Sequence, residues 1–495
     1  MPSIPENAAR QHLVGLPLQR RGKVRDTYEG LTDSTCIFPV ATDRISAFDF
    51  VLPTEIQGKG EVLTAMNVFW RTEPLASVIG PNHDLVAFGT GVDAFLPDEL
   101  KNNSALQKRS LVVKKKPMCS FEGIPRGYLT GTGLEAYEKS NPHCVCGHLM
   151  PHGLYDGSEL PRPIFTTTTK AEVGHDTHIL FQDVQSRYGD KPGILGMAMY
   201  SAAQEYAKSR GLIIADTKFE FWKDDDGTVG IGDEVLTPDS SRFWLAPIWR
   251  KSQEKKQSPA GMDKEFVRKF LKGLNVDLLD PENPKHLKRV SAVALPENIC
   301  RVTAQLYRYA FWKLVGSKLE KYQREKMGIA VRDRRLRIEI VIGSESDRPQ
   351  LERGLAVLKG RADFRVTVLS CHRNDDLHET LDDFVKHELL KADIGILCAG
   401  EAAALPGIGK TKTCKYGRPE LPIIGVACKG KNEEADLAAK LSIKRLPGQP
   451  VELDPHGEPY FAASGFEAAC MDALEHEFLP KAIESKPSVT GTWMF

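Results

Sequence analysis

The stretch Gly211-Leu-Ile-Ile-Ala-Asp216-Thr-Lys218-Phe-Glu220-Phe-Trp222 places an acid, a base and a second acid at alternate positions. In an extended strand successive side chains point to opposite faces. Asp216, Lys218 and Glu220 then share one face, and Ile213, Thr217, Phe219 and Phe221 take the other. Lys223-Asp-Asp-Asp-Gly227 carries an Asp-Gly turn signal, and Val229–Leu236 reads as the return strand of a β-hairpin. The return strand is otherwise apolar, so its acidic pair Asp233-Glu234 reads as inward-facing. Carboxylates on adjacent strands with a lysine between them suit a hard cation such as magnesium, together with a phosphate. A solvated face would show the same alternation. The apolar return strand and the cost of burying unpaired charge favour a site.

Other stretches carry groups for anions. Arg20-Arg-Gly22-Lys23-Val-Arg25 sets a glycine and basic residues at a turn, where backbone N–H groups and a lysine can meet phosphate. The short strand Phe38–Ala41 runs into the polar Thr42-Asp43-Arg44-Ile-Ser46-Ala-Phe48-Asp49, and loops at strand ends often bind. Gly123–Gly133 surrounds Arg126 and Thr132 with glycines ahead of a helix near Leu134; it reads either as an anion loop or as a strained connection. A β-like run from Ile164 ends in the polar cluster Lys170 to Asp176, and the turn-rich Leu236–Trp244 carries Arg242. His143, Cys144, Cys146, His148 and His152 cluster, but C-x-C-x-H lacks the usual two-residue gap and no second pair follows, which argues against zinc.

The elements that must position these groups are mixed. Residues 1–130 read as mostly strand and turn, with helices expected over 194–210, 263–273 and 296–323. The 495 residues are enough for two to four domains. Lys+Arg and Asp+Glu both number 66, so no basic footprint points to nucleic acid or an anionic membrane. Ten scattered cysteines read as reduced thiols, and neither a signal peptide nor a membrane-spanning run is evident, so a cytoplasmic setting is expected.

Composition turns basic and polar over 322–337, with the linker placed at 326–336 between a domain over 1–325 and another over 337–495. Beyond it the pattern alternates cleanly. Strands are expected at 338–342, 365–369, 394–398 and 423–426, each with a polar loop or helix after it. This implies a doubly wound parallel α/β sheet with its site at the strand C-termini. Two of those loops are Gly343-Ser-Glu-Ser-Asp347 and Ser370-Cys-His-Arg373.

Gly22-Lys-Val-Arg-Asp26, Ala41–Asp49, Arg126-Gly-Tyr-Leu-Thr-Gly131, Ala215-Asp-Thr-Lys-Phe-Glu-Phe221 and Asp233–Trp244 closely resemble SAICAR synthetase motifs, in order, over about residues 10–325. The resemblance implies an α+β ATP-binding domain pair. Its activity is ligation of L-aspartate to carboxyaminoimidazole ribonucleotide, with ATP and magnesium, through an acyl phosphate. By position, Lys23 and Lys170 meet ATP phosphates, and Glu220 and Asp233 hold magnesium. Arg126, Thr132 and Arg242 grip the ribonucleotide phosphate. Asp176, Asp216 and Lys218 face the imidazole carboxylate, with Ser46 and Asp49 nearby. Trp222 stands where the family usually has glycine, and Thr132 where it usually has serine.

Residues 337–480 look like the AIR carboxylase family through Gly343-Ser-Glu-Ser-Asp347 and Ser370-Cys-His-Arg373, and less closely through Ala399–Gly407. That resemblance implies a flavodoxin-like domain through which copies associate. Ser344, Asp347 and Arg373 would bind ribonucleotide, and His372 would shuttle a proton. Glu401 replaces a glycine and Ala404 a histidine, and Lys410–Glu420 is longer and more basic than expected. Three readings stay open: a bifunctional ligase and carboxylase, a ligase with a non-catalytic C-terminal module, and a phosphotransferase.

Overall fold

The computed structural model describes residues 15–170, 177–331, 335–370, 377–401, 403–445 and 451–480. Contacts divide the chain into two units, residues 1–332 and 333–495. No helix among the described residues is long and apolar enough to cross a membrane.

The first unit contains β1 (Leu18–Arg21), β2 (Arg25–Tyr28), β3 (Cys36–Ala41), β4 (Arg44–Ala47), β5 (Phe50–Glu55), β6 (Leu85–Phe88), β7 (Leu111–Lys114) and β8 (Met118–Tyr128). They are followed by β9 (Cys144–Val145), β10 (His148–Leu149), β11 (Glu159–Thr169), β12 (His178–Ile179), β13 (Leu212–Thr217), β14 (Phe219–Lys223), β15 (Val229–Gly232) and β16 (Ser241–Leu245). One antiparallel sheet runs β1-β2-β3-β7-β6. A larger one runs β12-β11-β8-β13-β16, with β14 also on β8 and β15 on β14.

The larger sheet is organised by alternation along β8. Its odd positions face the helix Lys191–Ser209 through a layer of rings. Phe121 stacks on Phe221 at 5.8 Å, and Phe165 and Phe219 are buried beside them. The rings close over Gly123, where an added Cβ would stand 2.4 Å from the Phe165 ring and 2.8 Å from that of Phe221. The even positions, Glu122 and Arg126, take the opposite face and carry the charge.

The acid–base stretch is broken where one strand was expected. Lys218 separates β13 from β14 and donates its backbone N–H to Ser240 O at 2.9 Å. The shared face survives, because Asp216 stands opposite Arg126 and Glu220 opposite Glu122, four residues apart on both chains. The return strand stops at Gly232, since Asp233 and Leu236 take φ of 54° and 53°, outside the extended region. Residues 1–130 are not only strand and turn. The helix Lys59–Thr72 is buried over nearly its whole surface, so it shows no polar stripe. The Asp43 carboxylate caps its start, accepting from Gly58 N at 3.1 Å and Gly60 N at 2.9 Å. The helix expected over 296–323 is two, Glu297–Val315 and Leu319–Glu325, interrupted at Gly316–Lys318. Lys59, buried, pairs with Asp239 at 2.6 Å, and Tyr307 Oη donates to the other Asp239 oxygen at 2.7 Å.

The second unit contains β17 (Leu336–Ile342), β18 (Ala362–Val368), β19 (Ile394–Ala399), β20 (Ile423–Ala427) and β21 (Tyr460–Phe461). All pairs are parallel, in the order β18-β17-β19-β20-β21. Ile338, Ile340 and Ile342 pack with Phe466 and Cys470 on one face, and Val341 and Leu397 pack with Val385 and Ile443 on the other. This is the flavodoxin-like doubly wound sheet, in which the strand order reverses between β17 and β19. The two-residue β21 was not expected, being too short to leave a pattern.

Gly123→Ala should destabilise the protein by about 1–3 kcal/mol through overpacking of the ring layer, read as a lower urea midpoint; an unchanged midpoint would refute the close approach.

Candidate active site

Four strands, β8, β13, β14 and β16, contribute side chains to the charged face. Arg126 on β8 is 1% exposed and makes three side-chain bonds: Nη1 to Asp216 at 2.7 Å, Nε to Thr166 Oγ1 at 3.0 Å and Nη2 to Thr132 Oγ1 at 3.1 Å. Arg242 on β16 donates to the same Asp216 oxygen at 2.6 Å. Gly131, with φ of 55°, opens the helix Gly131–Lys139 directly against Arg242; an added Cβ would stand 2.2 Å from Nη2. Two guanidinium groups thus share one carboxylate beside a helix N-terminus, leaving net positive charge for an anion. Burial lowers the Arg126 pKa, against the pull of Asp216.

Along the same face Lys218 Nζ meets the buried Glu122 at 2.5 Å. Lys170 pairs with Glu220. Arg25 reaches Asp233 at 2.9 Å and Glu234 at 3.6 Å. The backbone oxygen of Asp233 accepts from Arg71 at 2.6 Å and Asn67 at 3.2 Å, which holds the turn. Strand alternation continued through Asp233 would put Glu234 on the opposite face. The break at Asp233 puts both carboxylates within reach of Arg25 instead. Burial pushes Glu234 above the usual carboxylate range, Asp239 and Asp233 add to this, and Arg25 opposes it.

Glu220 stands opposite Gly232, the residue before Asp233. No group of three or more His, Cys, Asp or Glu among the described residues could hold a metal by itself. Two carboxylates nevertheless fit magnesium, which commonly takes one or two from protein and the rest from water and phosphate. Lys23 Nζ meets Asp49 at 2.7 Å, with Asp49 at φ of 64°. Ser46 is buried on β4, and no hydrogen bond among the described residues joins it to these groups. Asp176 lies outside the described residues.

The substitution Trp222 is accommodated: its ring covers Gly230, where a Cβ would stand 2.1 Å away, and its Nε1 donates to Ile231 O at 3.2 Å. Thr132 supplies the hydroxyl expected of serine. In the Cys–His cluster, His143 and His148 bond to the backbone oxygens of Tyr137 and Phe165, and Cys146 Sγ lies 3.0 Å from His178 Nδ1.

Sequence reasoning missed Glu122, although it stands four residues before Arg126 in one strand and so shares its face. It also gave Arg25 no partner, because nothing in the sequence shows that Asp233 turns back toward it.

In the second unit Ser344 and Asp347 follow β17, and Gly400 and Glu401 follow β19, on the two sides of the switch point. A Cβ on Gly400 would stand 3.9 Å from Asp347 Oδ1. Glu401 is exposed and takes φ of 51°, and Ala404 precedes the helix Leu405–Lys415. Lys410 is buried and donates to Pro419 O and Leu421 O, both at 2.7 Å, so it serves the fold. His372 and Arg373 lie outside the described residues.

The SAICAR synthetase family model matches residues 18–280. The chain belongs to the SAICAR synthetase family. The AIR carboxylase model matches residues 337–486, so the second unit is AIR carboxylase-like. Among similar proteins, phosphoribosylaminoimidazole-succinocarboxamide synthase of Thioalkalivibrio sulfidiphilus is 42% identical over 313 residues, covering 62% of this chain and 98% of that protein. The Leptothrix cholodnii protein of the same name is 40% identical over 309 residues, 61% of this chain and 97% of that one. A solved SAICAR synthase from Saccharomyces cerevisiae, complexed with SAICAR, is 36% identical with a TM-score of 0.53, covering 63% of this chain and 98% of that chain.

Asp216→Ala leaves Arg126 and Arg242 facing each other unpaired and should cost about 3–5 kcal/mol. Inorganic phosphate should restore more of the thermal midpoint in this variant than in wild type. Equal shifts in both would refute an anion site between the arginines.

Proposed function

We propose that this chain joins L-aspartate to the carboxylate of carboxyaminoimidazole ribonucleotide, consuming ATP and giving SAICAR, ADP and phosphate in purine biosynthesis. The observation that carries the reading is the Arg126–Asp216–Arg242 cluster. It is an anion grip on the same sheet face as the Lys218–Glu122 and Lys170–Glu220 pairs, with the Arg25–Asp233 pair at the turn after β15, in a chain of this family.

The chemistry asks for that arrangement. A carboxylate is a poor electrophile, so phosphoryl transfer from ATP first makes it an acyl phosphate, and the aspartate amine then displaces phosphate. Little covalent work falls to the protein; positioning and charge stabilisation carry phosphoryl transfer. Arg126, Thr132 and Arg242 hold the ribonucleotide phosphate, and Asp216 orients the two guanidinium groups. Lys218 faces the imidazole carboxylate, with Asp176, Ser46 and Asp49 assigned there by the resemblance. Lys23 and Lys170 meet the ATP phosphates. Glu220 and Asp233 would hold magnesium, which when bound neutralises phosphate charge. A phosphotransferase would consume ATP without aspartate entering the product. Mass analysis of products with and without L-aspartate separates the two.

Glu220→Ala and Asp233→Ala should each lower ligation by at least about 100-fold, with the fold intact by circular dichroism. Arg242→Lys, which loses the guanidinium fork, should raise KM for the ribonucleotide about tenfold and leave KM for ATP unchanged. Near-normal turnover in both carboxylate variants, or a shift in ATP instead, would refute these assignments.

For the second unit, Ser344 and Asp347 at the switch point favour ribonucleotide binding, with Arg373 assigned beside them and His372 as proton shuttle. The exposed Glu401 adds negative charge where a carboxylated substrate arrives, and Ala404 removes a donor. Conversion of aminoimidazole ribonucleotide and bicarbonate should therefore be weak or absent in wild type. The double change Glu401→Gly with Ala404→His should raise it, and His372→Ala should remove it. Robust wild-type conversion dependent on His372 would make the chain bifunctional and overturn the weak-activity reading.

A further inference from the structure

Arg44 is fully buried, and so is the Asp26 carboxylate it grips. Its Nη2 donates to Asp26 Oδ1 at 2.7 Å and its Nη1 to Oδ2 at 3.1 Å. The same guanidinium reaches the turn between β1 and β2, with Nη2 to Gly22 O at 3.0 Å and Nε to Lys23 O at 3.4 Å. The next carbonyl, Val24 O, accepts from both the N–H and the hydroxyl of Thr42, each at 2.9 Å. Gly22 N closes the turn on Arg25 O at 2.7 Å. Every carbonyl from Gly22 to Arg25 is thus drawn inward. The amides of Lys23 and Val24 make no hydrogen bond among the described residues. Successive free N–H groups in a turn form an anion-binding concavity.

We propose that Arg44 is a positioning residue for the nucleotide: it fixes the turn that presents Lys23 and its amides and that sends Arg25 to Asp233. The proposal rests on the reading that Lys23 meets ATP phosphates. Only a planar fork reaches Asp26 and two carbonyls together, and lysine offers one point of charge. Filling space would not require a buried charge, since apolar residues of similar volume serve a fold equally well.

The test compares Arg44→Lys, Asp26→Asn and Lys23→Met in the full chain, by steady-state kinetics and by hydrogen exchange of the Gly22 and Thr42 amides, which bond the turn. Arg44→Lys and Asp26→Asn should each raise KM for ATP about tenfold, the size of one lost charged hydrogen bond. They should leave KM for the ribonucleotide unchanged and speed exchange in the turn. Lys23→Met should raise KM for ATP without changing exchange. A general loss of folded protein would lower kcat with both KM values constant, and that result would overturn the positioning role. Wild-type KM for ATP with wild-type exchange in both clamp variants would also overturn it. Faster exchange in the clamp variants, with KM for ATP unmoved by Lys23→Met, keeps the clamp and refutes the nucleotide reading of Lys23.

Discussion

A charge can be buried in this sheet only with a partner, and that constraint shapes the first unit. β8 supplies the frame: rings and glycine on its odd positions, Glu122 and Arg126 on its even ones. Each charge on the even face is matched by one from a neighbouring strand or loop. Asp216 takes Arg126 and Arg242, Glu122 takes Lys218, Glu220 takes Lys170, and Asp233 takes Arg25. Deeper in the unit Asp26 takes Arg44 and Asp239 takes Lys59. Such pairs add little net stability over apolar residues of similar volume, yet breaking one is costly. Their retention on one face is better explained by chemistry than by stability.

The pairing also sets how a site of this kind responds to its ligands. On the proposed assignments, phosphate oxygens would compete with Glu220 for Lys170 and with Asp49 for Lys23. A divalent cation at Glu220 and Asp233 would compete with Lys170 and Arg25 for the carboxylates. Nucleotide and cation together would then re-pair every group at once, whereas either alone would leave a charge without a partner. Joint binding is therefore favoured by the same desolvation cost that holds the pairs together.

What the sequence displayed was the alternation, because period two survives even where the strand does not. Asp216, Lys218 and Glu220 lie along one face although the chain breaks at Lys218. What it hid was backbone geometry. The φ of Asp233 is positive because Arg71 and Asn67 hold its carbonyl, and those residues lie more than 150 positions earlier on a helix with no amphipathic stripe. That helix, Lys59–Thr72, went unread for the same reason: burial on all sides erases the periodicity that marks a surface helix. Glu122 was legible in principle, four residues from Arg126, but a lone glutamate in a strand is ordinarily solvated.

The second unit poses the reverse case, in which the fold was plain and the loop after β19 departs from the resemblance. Its parallel order puts Ser344, Asp347 and Gly400 around the switch point, where open α/β sheets bind ligands. Glu401 holds a left-handed backbone conformation there, which costs a residue with a Cβ about 1–2 kcal/mol relative to glycine. Its exposed carboxylate also adds negative charge at the strand ends that already carry Asp347. That side chain both strains the loop and would repel the anionic ribonucleotide proposed to bind there. It is compatible with a unit whose parallel core is kept while the demands on its loop have relaxed.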